Sequence, residues 1–573
     1  MPLTGGKMSP SPRVLRRCVA VTAATLAAVT VSAAPASAAQ PAGTTDVRLI
    51  TFNDFHGNLE PPSGSSGRVT LPDGSTVNAG GAAYLATHVK QLESEVKNSI
   101  LLSAGDNVGA SPVASALFHD EPTIEFLNEM GVQASVVGNH EFDEGYQELQ
   151  RMQLGGCHPT DGCQFRDSYP GADFPFLGSN VYFDNGAPAL LPFTVEFSGG
   201  QPIGVIGATL KDLPTVVSAE AIKGLEFGDE VEAINRTSGW LDRLGIKAQV
   251  VLLHQGDNTQ GGGPDSCTVS PGPASQIAKG VSASVDAIFT GHSHQQYNCS
   301  IADPAGNPRP VIQGLSFGRL LSVVDLKIDE RTRDVVRGAT VAHNEIVTRD
   351  VKPDPAVAKL VDEAVTKAAP IANEQIGSIT GDLKAAGAPS GESALGDVIA
   401  DAQLEATTAN GAQIAITNPG GIRADLNYAS SPAGEGDGVV TYGEAFTVQP
   451  FGNIMQTITL TGANLKNVLE QQWTATTTRI LQISSSLHYT YSASAPVGSK
   501  VRDITVNGTP VDPAATYRVS VNNFLAGGGD GFTEFTKGTD LAGGPVDLDA
   551  LIAYFGAHSP VTPPPADRIT VVA

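Results

Sequence analysis

Short apolar runs that stop abruptly in polar residues recur along the first half of the chain. Val47-Arg48-Leu49-Ile50-Thr51-Phe52 has the β-branched and aromatic character of a strand and delivers Asn53-Asp54-Phe55-His56-Gly57. Ile100-Leu101-Leu102-Ser103 runs into Ala104-Gly105-Asp106-Asn107, and Val136-Val137 into Gly138-Asn139-His140-Glu141-Phe142-Asp143. The same grammar returns at Gln249-Val250-Val251-Leu252-Leu253, followed by His254-Gln255-Gly256, and at Val285-Asp286-Ala287-Ile288-Phe289-Thr290, followed by Gly291-His292-Ser293-His294. Helical spacing of apolar residues over 82–97 and around 123–130 falls between these runs. Strands alternating with helices predict a layered α/β fold in which side chains with chemistry gather at the strand C-terminal ends. Residues 61–81, rich in Gly, Ser and Pro, read as a loop, and 311–346 as closing strands.

The pattern then changes. Val357, Leu360, Val361 and Val365 sit at helical spacing in a stretch bounded by prolines, which predicts a connecting helix over 351–372 between a domain at 39–350 and a second at 373–573. The second domain opens with a helix over 394–406 and a strand over 412–417 that leads into Asn418-Pro419-Gly420-Gly421-Ile422-Arg423. Gln449-Pro450-Phe451-Gly452-Asn453 follows, then an amphipathic helix over 462–473, strands near 487–491 and 517–521, and the glycine-rich Asn522-Asn523-Phe524-Leu525-Ala526-Gly527-Gly528-Gly529-Asp530-Gly531-Phe532.

A length of 573 residues, 41% of them hydrophobic, is too much for one ordinary core and enough for two or more. Arg13, Arg16 and Arg17, a run of small, mainly apolar residues over 18–31, and Ala36-Ser37-Ala38 predict an export signal cleaved near Ala38. The run is short for a membrane span, so no membrane anchor is expected and the mature chain is placed outside the cell. The net charge of -24 opposes wrapping by a phosphate backbone; no nucleic-acid polymer is expected as partner, and a small substrate held by a few cations is. Four cysteines follow the signal, and their even count in an exported chain predicts disulfides, most simply Cys157 to Cys163 and Cys267 to Cys299.

Collected, the strand-end residues are Asp54, His56, Asp106, Asn139, His254, His292 and His294, with His140 beside them. Asp54/His56 and His292/His294 are i, i+2 pairs, which on extended backbone point the same way. Gly138 is read as allowing a sharp turn, and Asp143 as fixing the His140 ring in one tautomer. A plainer reading makes Asn139 a helix cap and His140 a satisfied polar residue. Seven oxygen and nitrogen donors exceed one ion and suit two, with a carboxylate bridging. Paired cations polarise a phosphoryl group and acidify a shared water, so phosphoester hydrolysis is the natural reaction. Zn, Mn, Fe and Co all fit the mixed donors better than Mg or Ca alone. His88, His119, His158, His343, His488 and His558 stand outside this grammar and read as surface or satisfied residues, and Trp240 and Trp473 as packing.

The set DxH, GD, GNHEFD, HxG and GHSH resembles the calcineurin-like metallophosphoesterases, and NPGGIR, PFGN and NFLAGGGDGF resemble the C-terminal domain of secreted 5'-nucleotidases. The resemblance covers nearly all of the mature chain. It implies a four-layer αββα sandwich followed by an α/β substrate-binding domain, and a secreted enzyme that removes the 5'-phosphate from nucleotides. By the resemblance, Asp54, His56, Asp106 and His294 hold one metal and Asp106, Asn139, His254 and His292 the other. His140, oriented by Asp143, serves the phosphate and the leaving oxygen. Asn418 and Arg423 bind the substrate, Phe451 and Phe524 sandwich the base, and Asp530 takes the ribose. No arginine lies in Ala385 to Ser390, where the family usually carries one; His294 stands where several relatives have Gln or Asn, and Pro419 where a glycine is common. Two other activities share such a site, hydrolysis of 2',3'-cyclic nucleotides and of UDP-sugars. A nucleotide-binding protein with a decayed centre is the non-enzymatic alternative.

Overall fold

The computed structural model describes residues 43–572 except 63, 218–220, 386, 432, 433 and 476; the export signal expected over 1–38 lies outside the described residues. In chain order the first part contributes β1 (Thr44–Phe52), β2 (Ser99–Ser103), β3 (Ala134–Val136), β4 (Phe176–Leu177), β5 (Phe193–Ser198) and β6 (Gln201–Thr209). It continues with β7 (Ala248–His254), β8 (Ala287–Thr290), β9 (Gln296–Ala302), β10 (Pro308–Gly314), β11 (Leu320–Asp329) and β12 (Val341–Ile346). These form two six-stranded sheets, one in the order β12-β11-β1-β2-β3-β4 and the other β9-β10-β8-β7-β6-β5. β1, β2, β3 and β4 run parallel in the first. β6, β7, β8 and β10 do so in the second.

Strand alternation explains how the sheets stack. Val47 and Leu49 of β1, Ile100 and Leu102 of β2, and Val250 and Leu252 of β7 all enter one core between the sheets. Their neighbours Ile50, Phe52 and Leu101 face the other way, onto helices α1 (Ala82–Ser94) and α2 (Glu121–Met130). Val251 and Leu253 face the opposite outer layer, which includes α3 (Glu230–Arg243). With both faces of each sheet buried, the strands read as continuous apolar runs, and the result is the four-layer αββα sandwich. Helix α4 (Pro355–Ala372) starts at an Asp354 cap that accepts from Ala356 and Val357 N–H. Its Val357, Leu360 and Val361 sit in the same outer core as α1 and α2.

The second part is built on a mixed five-stranded sheet. Its strands are β13 (Ile414–Thr417), β14 (Ile454–Thr461), β15 (Gln482–Ile483), β16 (Thr516–Asn522) and β17 (Thr539–Val546), in the order β15-β13-β16-β14-β17. Helix α5 (Ala394–Thr407), capped by Ser393, lies against it. Disulfides join Cys157 to Cys163 and Cys267 to Cys299. Among the described residues no helix is long and apolar enough to cross a membrane.

Three expectations need correction. The loop over 61–81 contains a hairpin, Arg68–Thr70 paired with Thr76–Asn78, because Val69 is buried against Ala79 and Leu320. The first helix stops at Ser94, three residues short of the apolar pattern. Trp240 is not core packing: it is over a third exposed, with the Arg236 guanidinium 5.8 Å from its ring.

Candidate active site

The strand-end residues converge, but not by the route their spacing suggested. Asp54 (φ 50°), His56 (49°), Asp106 (52°), His292 (69°) and His294 (53°) all adopt the left-handed conformation. The i, i+2 pairs are therefore not extended backbone; each residue turns out of its strand end. Left-handed conformations in non-glycine residues cost of order 1–3 kcal/mol each and cluster where function requires them. Here the backbone is tied across the β1 and β2 ends, with Asp54 N–H donating to Gly105 O at 2.9 Å and His56 N–H to Asp106 O at 3.0 Å.

The histidines are aimed by carbonyls. His56 Nδ1 donates to Gly109 O (2.9 Å) and His254 Nδ1 to Ala104 O (2.8 Å), which leaves each Nε2 lone pair facing the cluster. Ligand atoms of Asp54, His56 and His294 lie within 4.8 Å of one another, and so do those of Asp106, His254 and His292. The donor atoms crowd together there: His56 Nε2 lies 3.2 Å from His294 Nε2, and His292 Nδ1 lies 2.9 Å from Asn139 Oδ1. His254 Nε2 is fully buried without a hydrogen bond, 3.1 Å from Asp106 Oδ2. An unpartnered imidazole nitrogen at His254, crowded among nitrogen and carboxylate oxygen donors, fits divalent cations. The electrostatics of Asp106 and His292 agree; at His254 burial is outweighed by the Asp106 and Asp54 carboxylates, which push it up to about 10, so that a cation would take the place of its Nε2 proton. Burial works against the Asp106 charge, yet the imidazoles of His254, His140 and His56 hold its carboxyl well below the usual range. Burial, reinforced by His254, pushes His292 down to about 4, keeping it a neutral ligand.

The segment after β3 divides into distinct parts. Gly138 does not supply a left-handed turn; it supplies room, since a Cβ there would lie 2.1 Å from Asp106 Oδ1 and 2.6 Å from His254 Nε2. Asn139 makes no cap hydrogen bond and turns to His292 instead. His140 N–H donates to Asp106 Oδ1 (2.8 Å), and its Nδ1 pairs with Asp143 Oδ2 (2.8 Å). Glu141, buried, accepts from the N–H groups of Asp106 (2.9 Å), Asn107 (2.8 Å) and Gly138 (2.5 Å), stapling the β2 and β3 ends together. Burial and the nearby Asp106 push Glu141 up to about 7, and those N–H donors work the other way.

Beyond these residues opens a cavity of about 540 Å³, lined on one side by Asp106, Asn139, His140, His292 and His294 and on the other by residues of the second part. All five expected substrate residues line it: Asn418, Arg423, Phe451, Phe524 and Asp530. Phe451 stacks on His140, ring centroids 5.6 Å apart and planes 21° from parallel, with the Arg423 guanidinium 5.8 Å from its ring. Asn418 Nδ2 donates to Asp530 Oδ2 (2.8 Å). Two residues escaped sequence reasoning. Glu141 stood inside the GNHEFD run, but nothing in the pattern said that its carboxylate would serve backbone amides. Arg479 lines the cavity with Nε 3.9 Å from Asp530 Oδ1, and no motif flags it.

Residues 47–296 match the family model for calcineurin-like phosphoesterases, and residues 375–537 the model for the 5'-nucleotidase C-terminal domain. The chain is 33% identical to a cell wall protein of Listeria monocytogenes over 90% of this chain and 67% of that one. It is 31% identical to an endonuclease of Bacillus subtilis, of whose length it spans 39%. It is 24% identical to human 5'-nucleotidase across 92% of this chain and 91% of that one. Among solved structures, a 5'-nucleotidase precursor from Thermus thermophilus superposes with a TM-score of 0.75 at 26% identity, covering 92% of this chain and 99% of that one.

Proposed function

The chain belongs to the 5'-nucleotidase family, with a calcineurin-like phosphoesterase domain and a 5'-nucleotidase C-terminal domain, and is a metal-dependent phosphoric ester hydrolase; we propose that it removes the 5'-phosphate of nucleotides outside the cell. The observation that carries the reading is the single cavity in which metal-type donors face two phenylalanines, an arginine and an Asp/Asn pair. In this reading Asp54, His56, Asp106 and His294 hold one divalent cation and Asp106, Asn139, His254 and His292 a second. When bound, the cations supply Lewis-acid polarisation of the phosphoryl group and a water acidic enough to attack at neutral pH.

The protein's own residues do the rest. Arg423 offers a planar fork of N–H donors to the phosphate oxygens. Arg479 adds a second guanidinium from a different segment, in place of the arginine missing from Ala385 to Ser390. Phe451 and Phe524 grip a base by its faces without reading its edges, which predicts tolerance among bases. Asp530, held by Asn418, accepts from the ribose hydroxyls. His140, fixed through Nδ1 by Asp143, keeps Nε2 for the phosphate and delivers a proton toward the leaving oxygen. Aromatic walls and ribose contacts are superfluous for a general phosphatase, so their presence favours nucleosides. The two disulfides support a location outside the cell.

The test is hydrolysis by purified, metal-reconstituted protein of AMP, a 2',3'-cyclic nucleotide, UDP-glucose and ribose 5-phosphate, read by chromatography of the nucleoside, nucleotide and sugar products, with released phosphate measured for the two monoesters. AMP should give the highest kcat/KM. Preference for ribose 5-phosphate would remove the nucleoside pocket from the account, and preference for the cyclic nucleotide or UDP-glucose would move the reaction to diesters.

A further inference from the structure

The turn that carries His292 and His294 is held by one buried side chain from a neighbouring strand. Gln313, fully buried, lies on β10 directly opposite Tyr297 of β9. His292 and His294 both sit in the left-handed region, at φ 69° and 53°, a conformation that persists where the surroundings fix it. The N–H groups of the turn show what fixes it. His292 N–H donates to the Asp54 carboxylate (3.0 Å) and Ser293 N–H to Gly291 O (2.8 Å). The next two, of His294 and Gln295, both donate to Gln313 Oε1 at 3.2 Å.

The hydroxyls around Gln313 dictate that orientation of its carboxamide. Thr290 Oγ1 donates to Ile312 O (3.0 Å), so the Tyr297 hydroxyl, 2.8 Å from Thr290 Oγ1, spends its proton there. Ser293 Oγ spends its own on Asp257 O (3.0 Å). Both oxygens can then only accept, and Gln313 Nε2 donates to Tyr297 OH at 2.9 Å and to Ser293 Oγ at 3.1 Å. A carboxamide has two N–H donors and two acceptor lone pairs, and here each is used. An ionised glutamate would lack the donors, and asparagine the reach. Gly256, in the His254-Gln255-Gly256 run, leaves room for this network, since a Cβ there would strike Ser293 Oγ and Gly291 O.

We propose that Gln313 is a positioning residue for the metal centre: its carboxamide holds the turn in the one conformation that aims His292 and His294 at their ions. The inference rests on the assignment of those two histidines as ligands. Asp54, which anchors the turn through His292 N–H, is itself assigned to an ion, whereas Gln313 is assigned to none. It therefore fixes both imidazoles before a cation arrives, and the ordering of the turn is not charged against metal binding. Removing a group that orients metal ligands costs about 10- to 100-fold in metal affinity.

The experiment is titration of the metal-free full chain with manganese chloride, free manganese being read by its electron paramagnetic resonance, in the parent, Gln313→Met, Tyr297→Phe and His294→Ala. Gln313→Met keeps an unbranched side chain of similar size and deletes its hydrogen bonds; it should bind manganese about 10- to 100-fold more weakly than the parent. Excess manganese should restore its phosphate release from AMP, because bound ions then hold the turn themselves. Tyr297→Phe removes one acceptor of the network and should weaken binding by less, which carries the test if Gln313→Met fails to fold. His294→Ala is the benchmark for the ligand assignment. Parental affinity in Gln313→Met, or in Tyr297→Phe where the former does not fold, beside weakened binding in His294→Ala would overturn this inference alone. Parental affinity in His294→Ala as well would overturn the ligand assignment with it. Weakened binding in Gln313→Met with activity that excess manganese does not restore would make Gln313 a residue of the fold and overturn its positioning role.

Discussion

Replacing Gly138 by alanine should cripple the catalytic centre while leaving the fold standing. The added Cβ would meet Asp106 Oδ1 at 2.1 Å and His254 Cε1 and Nε2 at 2.6 Å, whereas ordinary contact begins near 3.4 Å. Something must move by about 1 Å, and neither neighbour can yield locally. Asp106 Oδ1 is held by His140 N–H and its own N–H by Glu141, while His254 is anchored through Nδ1 to Ala104 O. A displacement of about 1 Å in a catalytic group costs on the order of 10²-fold in rate, about 2.7 kcal/mol of transition-state stabilisation. The assay is kcat/KM for AMP together with metal content after dialysis. Both should fall, with far-ultraviolet circular dichroism unchanged. Gly556→Ala, a helical position where a Cβ meets nothing within 4 Å, is the control and should leave activity at the parent level. If Gly138→Ala retained parental kcat/KM and metal content, the claim that Asp106 and His254 act together at fixed positions would be wrong.

Further outcomes follow from the same geometry. His140→Ala should lower kcat roughly 10²- to 10⁴-fold with metal content unchanged, because His140 is assigned to the phosphate and not to an ion; metal loss in that variant would refute the division. Arg479→Ala should raise KM for AMP by about tenfold or less, since Arg479 is exposed at the cavity edge, and an unchanged KM would remove it from the substrate contacts. Burial, with Glu392 close by, pushes Asp397 up to about 8 against the pull of the Arg568 guanidinium, whose Nε lies 3.7 Å from Asp397 Oδ2. Its folded form therefore keeps a proton that the unfolded chain loses near its ordinary pKa of about 3.9, so stability falls as pH rises between the two values. Asp397→Asn removes that loss, and its Tm should gain on the parent progressively from about pH 5 to about pH 8. A Tm difference independent of pH would contradict the sign.

Much of the architecture was legible because the parallel strands are buried on both faces. Ile100-Leu101-Leu102 and Val250-Val251-Leu252-Leu253 can only be interior strands, and the polar residues that terminate them had to lie at one edge. That Asp54, Asp106, His254 and His292 would come together was visible for the same reason. What stayed hidden depends on contacts between distant segments. Gly138 looked like a turn residue because nothing local reveals that Asp106 and His254 fill the space a Cβ would need there. The i, i+2 pairs suggested extended backbone, but the strands end before Asp54 and His292, and left-handed turns aim those side chains. Arg479 carries no local pattern; only the folding of its loop beside Asp530 brings it into the cavity. His119 and His158 looked isolated because 38 positions of chain separate residues that the disulfide loop brings into ring contact.

The most direct test of the central claim is diffraction from crystals grown with manganese and adenosine, recorded at the manganese absorption edge. The account predicts two anomalous peaks flanking the Asp106 carboxylate, one also touching His56 and the other His254, with the adenine ring between Phe451 and Phe524. A single peak, peaks that do not share Asp106, or adenosine bound away from the two phenylalanines would contradict it.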